Sequence, residues 1–197
     1  MISMLVARII SVLANPIFIL IGLPYFLVFK STHDSQIAWF WSLYTWVFLF
    51  IFVMVVLIGV RKKLFSDIDV SDRKERPILY FAGGMLSLLY FYGLYLLQAP
   101  VVLFVTIIGI ILGILIGGLV NMKIKTSVHV SAVSALFTAV SIVYKGYYIW
   151  LLLLIPVICW ARVKRQRHTI QEVIAGALLG SLLSLIMYFM TKSILNI

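Results

Sequence analysis

The chain has 197 residues, 64% of them hydrophobic and only 11% charged, with a mean hydropathy of +1.17. That composition excludes an ordinary soluble globular domain and places the protein in the integral-membrane class. The formal net charge of +10, carried by a membrane chain, speaks to topology and anionic headgroups rather than to nucleic acid, so membrane lipids are the expected surroundings and no nucleic-acid partner is expected.

A spanning helix needs roughly 20 mainly apolar residues, and several such runs follow one another. The first is about Leu5 to Phe29, with Asn15-Pro16 inside it and a kink expected there. It is apolar from the start, with Arg8 as its only charge, and lacks the order of a cleaved signal peptide, so it reads as a first span. The second runs from about Ala38 to Val60, with Trp39, Trp41 and Trp46 near its start as an interfacial belt. The longest polar segment, Arg61 to Arg76, follows, and Pro77 opens a third span to about Leu97. After Gln98-Ala99-Pro100 a fourth covers Val101 to Val120; Asn121 to Thr126 is polar. The fifth is about Ser127 to Tyr144, the sixth Tyr147 to Trp160 and the seventh Thr169 to Met190. The expected fold is therefore all-α: a polytopic transmembrane helix bundle of about seven spans, with six as the alternative count, forming one integral domain over residues 1–197. Cys159 is the only cysteine, so no disulfide forms within the chain and redox compartment is unreadable.

Spans five and six are short. Only 31 residues separate His129 from Ala161, so each leg rises roughly 23 Å against a hydrocarbon core of roughly 30 Å. Either the bilayer thins there or the ends, with His129 and Arg162, lie below the headgroup plane. Charge is lopsided as well. With seven alternating spans, Arg8 and the loops 61–76, 121–126 and 161–168 share one side and hold 13 Lys and Arg, whereas the other side holds Lys30, Lys145 and Lys192. The positive-inside rule assigns the rich side to the cytoplasm.

Chemistry-bearing residues gather in three polar segments of that side: Asp72-Arg73-Lys74-Glu75-Arg76-Pro77, Lys125-Thr126-Ser127-Val128-His129, and Arg162 to Glu172. In the third, His168 and Glu172 stand four apart, so a helix starting near Thr169 puts them on one face. A carboxylate holding an imidazole, with arginines beside it, suits attack on a phosphate. The order Arg-Pro, then Ser-x-His, then Arg-x5-His-x3-acid resembles the phosphatidic acid phosphatase type 2 family of membrane lipid phosphatases. Arg76-Pro77 stands for the end of its first motif, Thr126-Ser127-Val128-His129 for its Pro-Ser-Gly-His, and Ala161-Arg162 through His168 and Glu172 for its Ser-Arg-x5-His-x3-Asp. The resemblance covers residues 69–172. The chain departs from the pattern at Asp69, where the family has a lysine that Arg73 or Lys74 must replace. It departs again at Val128, where the family has glycine, and at Glu172, where it has aspartate.

The resemblance implies a phosphoric ester or diphosphate hydrolase acting on a polyprenyl or glycerolipid phosphate or diphosphate, without metal or other cofactor. His168 would attack phosphorus and form a phosphohistidine, Glu172 would fix its tautomer, and His129 would protonate the leaving oxygen and then activate water. Arg76, Arg162 and Ser127 would bind the phosphoryl oxygens, with Lys125 and Arg73 as further candidates.

Plainer readings stand beside these. Thr169-x-x-Glu172 is also a helix capping box, and His129 could be an interfacial histidine satisfied by water. Lys164, Arg165 and Arg167 suit headgroup contact or topology better than catalysis. Gly109, Gly113 and Gly117, like Gly176 and Gly180, point to close helix packing. Two rival functions remain open. Asp67, Asp69 and Asp72 before Arg76-Pro77 suggest an intramembrane prenyltransferase, although no second acidic cluster exists to hold magnesium. A non-catalytic transporter or scaffold is the other, although the mid-spans carry almost no charge.

Overall fold

The computed structural model describes residues 2–195; Met1, Asn196 and Ile197, the outermost residues of the expected domain, lie outside the described residues. Every regular element among them is helical: α1 (Ile2–Leu13), α2 (Pro16–Thr32), α3 (Ser35–Arg61), α4 (Arg76–Leu96), α5 (Val101–Asn121), α6 (Val128–Val143), a 3₁₀ helix (Ile149–Leu154), α7 (Ile155–Lys164) and α8 (Ile170–Leu195). Four of these, α3, α4, α5 and α8, are long and apolar enough to cross a membrane. Each begins within a turn of a span expected from the sequence. The pair α1 and α2 passes the same test jointly, bent by 41° at the expected Asn15-Pro16 position, which gives up to five candidate spans. At the bend Pro16 opens α2 and the Asn15 side chain accepts the Ile17 N–H at 2.9 Å, so the broken helix is capped rather than frayed. Large side chains such as Phe50, Leu119 and Phe189 lie more than half exposed, which suits a hydrocarbon surround.

The stretch expected to form spans five and six is built differently from two ordinary spans. α6 has 16 residues, a rise of roughly 24 Å against a core of roughly 30 Å. The return leg is a six-residue 3₁₀ helix followed by the ten-residue α7. Pro156 accounts for the change of winding: it lacks the N–H that would bond the Leu152 carbonyl and its ring would strike that carbonyl, so the preceding turn tightens. Helices α3, α4, α6 and α7 end alike. At Lys63, Gln98, Lys145 and Gln166 the backbone turns left-handed, and paired bonds such as Arg167 N–H to Arg162 O at 3.2 Å and Gln166 N–H to Val163 O at 2.8 Å close the last turn.

The contacts divide the chain into two compact units. One is Met1–Ile19 with Met122–Ile197, the other Leu20–Asn121; both boundaries fall inside the single domain expected from the sequence. In the second unit Val28, Trp41, Tyr90, Leu94 and Leu103 form the core. The 61–76 segment there is a folded lasso rather than a solvated loop: Phe65 and Val70 are buried with Val56, and Glu75 accepts from the Ser66 N–H at 2.9 Å.

The first unit is organised by α6 against α8. Its core is Ala14, Val130, Val133, Ile158 and Val173. Along the α6–α8 seam small residues let backbone meet backbone. A Cβ at Gly176 would stand 2.8 Å from the Ser127 carbonyl oxygen, and one at Gly180 would collide with the Ser131 carbonyl. Ser127 N–H donates to the Glu172 carbonyl at 3.2 Å at one end, and Thr138 Oγ1 donates to Ser181 Oγ at 3.1 Å further along. Forcing a methyl into such a contact costs about 1–3 kcal/mol. Gly180→Ala should therefore lower the midpoint of thermal unfolding in detergent. Gly118→Ala should not, because its Cβ would meet Tyr80 at an ordinary 3.7 Å; equal midpoints for the two variants would contradict this packing.

Candidate active site

The capped end of α7 begins the site. Arg162 lies in the last turn of α7 and is 2% exposed. Its Nη1 donates to Ser11 Oγ on α1 at 2.8 Å. Arg165, the C-cap residue, donates from its own Nη1 to the same oxygen at 2.8 Å. The left-handed turn at Gln166 then reverses the chain within three residues and delivers His168 to the start of α8.

His168 is buried, and its Nδ1 lies 2.8 Å from Glu172 Oε2. A carboxylate only accepts, so in this bond Nδ1 is the donor. The same Glu172 oxygen accepts the Thr169 N–H at 3.2 Å, while Thr169 Oγ1 accepts the Glu172 N–H at 3.3 Å. The pair is thus a reciprocal capping box and, at once, the orienting partner of the imidazole. The Glu172 side chain takes part in both the capping box and the bond to the imidazole.

α6 brings the next residues. Ser127 is its N-cap and is fully buried, and its Oγ has no hydrogen-bond partner among the described residues. Its backbone is pinned to Glu172, as above, so Ser127, the half-buried His129 in the first turn of α6, His168 and Glu172 all belong to one end of the α6–α8 pair. Lys125 donates to the Arg167 carbonyl at 3.2 Å, tying the segment before α6 to the α7–α8 loop.

The remaining expected ligands belong to the other unit. Arg76 opens α4, is 3% exposed, and donates from Nε to the Val70 carbonyl at 3.2 Å. Val70 presents that carbonyl from a left-handed conformation, φ 45°, which is strained for a β-branched residue. Arg73 is exposed, and its carbonyl accepts from Asn121 at 3.4 Å. Among the acids of the rival prenyltransferase reading, Asp67 accepts the Ser71 N–H at 3.2 Å and Asp72 the Lys74 N–H at 2.9 Å. Among the described residues no three His, Cys, Asp or Glu side chains group as a metal site.

Compared with known proteins, the chain matches no family model, no curated protein and no solved structure. The sequence offers headgroup contact or topology for Arg165; in the structure it is half-buried and bonds Ser11. Ser11 drew no notice in an apolar run; the available signal was that a polar side chain in a spanning helix faces protein, one turn after the equally buried Ala7.

A buried hydroxyl without a partner is costly, by about 1–3 kcal/mol. Ser127→Ala should leave the unliganded protein as stable or slightly more so. It should weaken the thermal stabilisation by orthophosphate or orthovanadate about 3- to 10-fold in apparent affinity. A variant that melts lower while binding the anion unchanged would assign Ser127 to structure alone.

Proposed function

We propose that this protein is a membrane lipid phosphatase working through a phosphohistidine on His168, the reading that the resemblance to phosphatidic acid phosphatases type 2 suggests. The observation that carries it is the 2.8 Å bond between His168 Nδ1 and Glu172 Oε2 at the same end of the first unit as Ser127, His129 and Arg162. Besides that carboxylate partner, the same unit holds a buried arginine, Arg162, and the unpartnered buried hydroxyl of Ser127.

The chemistry follows from those groups. Nε2 of His168 attacks the phosphorus of a lipid phosphate, forming an N–P bond as the P–O bond to the lipid breaks. The carboxylate of Glu172 stabilises the imidazolium that the attack creates. His129 protonates the departing oxygen, then takes a proton from the water that cleaves the N–P bond. Arg162 and the Ser127 hydroxyl bind the phosphoryl oxygens, where charge grows in the transition state. The apolar groove between α7 and α8, of about 490 Å³ and lined by Ile155, Cys159, Val163, Ile170 and Val173 among others, starts beside the basic loop and suits a lipid tail.

In this reading the bent α1–α2 pair counts as one crossing, and α6 and the 3₁₀–α7 leg as two short ones. The total is then seven, with the 161–168 loop facing the cytoplasm as the excess of cations argues. A cysteine placed at Lys164 should react with an impermeant thiol reagent only after the membrane is opened.

Phosphate release from a lipid phosphate in detergent should be abolished by His168→Ala. Glu172→Gln, which keeps the side chain's shape but loses its charge, should cost about 10²–10⁴-fold in kcat. Turnover that survives His168→Ala would sink the proposal.

A further inference from the structure

The 61–76 lasso of the second unit sorts its charges. It holds six Lys and Arg against four Asp and Glu, and by composition alone would be close to balanced. The fold turns the acids onto the lasso itself. Glu75 accepts the Ser66 N–H at 2.9 Å and the Ser66 hydroxyl at 3.1 Å. Asp67 accepts the Ser71 N–H and Asp72 the Lys74 N–H, and Asp67, Asp69 and Glu75 are half-buried. At the start of the lasso the opposite holds. Arg61, Lys62 and Lys63 are all exposed, and none of the three side chains takes part in an ion pair or hydrogen bond among the described residues. The turn that presents them is fixed. Lys63 is left-handed at φ 60°, and the Leu64 and Phe65 N–H groups both return to the Gly59 carbonyl, at 2.8 and 3.2 Å. The Phe65 ring fills the place where Gly59 lacks a side chain. Phe65 thereby points into the core, and its neighbour Leu64 is left 51% exposed beside the cations; Ile68, on the same lasso, is 63% exposed. α3 has 27 residues, a rise of roughly 40 Å against a hydrocarbon core of roughly 30 Å, so Arg61 at its end reaches the headgroup layer. Topology asks only for a number of cations near a span. It explains neither the withdrawal of the acids nor the exposed aliphatic side chains, and both suit a surface that is negatively charged over an apolar layer.

We propose that the tip of this lasso, Arg61 to Leu64 with Ile68, is a docking surface for the anionic phospholipid headgroups of the leaflet at which α3 ends. The guanidinium and the two ammonium groups donate charge-assisted hydrogen bonds to the headgroup phosphates. Leu64 and Ile68 settle into the acyl boundary beneath them. The occupant is a lipid of the surrounding bilayer rather than a substrate. The surface belongs to the second unit, whereas His168 and Glu172 belong to the first, so it stands independently of the phosphatase reading.

The test uses the full chain reconstituted in vesicles, with Cys159→Ala and with Leu64→Cys carrying an environment-sensitive fluorophore. Quenching by brominated phosphatidylglycerol is compared with quenching by brominated phosphatidylcholine of the same tails. Position 64 should report a preference for the anionic lipid. Each cation near a charged membrane surface corresponds to about 5-fold in association. Lys63→Gln should therefore lower the preference by about that factor, and joint replacement of Arg61, Lys62 and Lys63 by Gln should abolish it. Added salt should weaken the preference with the cations intact, because exposed charges are screened; this arm needs no charge variant that could misfold. Equal quenching by the two lipids with all three cations present would overturn the proposal, as would a preference indifferent to salt or one that survives the triple replacement. A preference removed by soluble glycerol phosphate would assign the cations to a free anion and overturn it too.

Discussion

The contact of α6 backbone with α8 backbone is the constraint on which the candidate site depends. Two positions without side chains, Gly176 and Gly180, leave the Ser127 and Ser131 carbonyls pressed against α8. The start of α6 is thereby set beside Glu172 rather than a side-chain length away. In lipid this contact is the more telling because no hydrophobic effect drives helices together there; close van der Waals approach and interhelical polar bonds must do so. The consequence is local: residues about 40 apart in the chain, Ser127 and His129 at the head of one helix and His168 and Glu172 at the head of another, share one end of one helix pair.

Around that seam, single side chains serve two purposes. Glu172 both closes the first turn of α8 and holds the imidazole. Lys125 fastens the entry to α6 onto the loop between α7 and α8. Ser11 anchors α1 to α7 and sets the direction of two arginines. Such economy follows from the environment. Where water is scarce each buried polar group needs a partner, so the few polar residues that an apolar helix admits are drawn into the same small network.

Much of this could be read from the residues. Length and hydropathy placed α3, α4, α5 and α8, because an uninterrupted apolar run of about 20 residues has few other fates. Asn15-Pro16 announced the bend and Thr169-x-x-Glu172 the head of α8, since both work through local backbone chemistry. What the pattern hid was of another kind. The winding of residues 149–154 depends on a proline downstream acting on a carbonyl upstream. The 61–76 segment looks like a polar loop by composition, yet Phe65 and Val70 make it a packed lasso. The partnership of Ser11 with Arg162 and Arg165 spans about 150 residues, and no spacing rule reaches that far. The inward bond of Arg165 to Ser11 was equally hidden, because a basic residue near a membrane face carries a generic explanation.

The account centres on which atom of which histidine meets phosphorus. With Nδ1 engaged by Glu172, attack must come from Nε2 of His168. The most direct measurement is to quench the purified protein during turnover of a lipid phosphate or diphosphate and determine the position and isomer of protein-bound phosphate under conditions that preserve N–P bonds. The account predicts phosphate on Nε2 of His168. Phosphate on Nδ1, on another residue, or on none while orthophosphate is still released would contradict it.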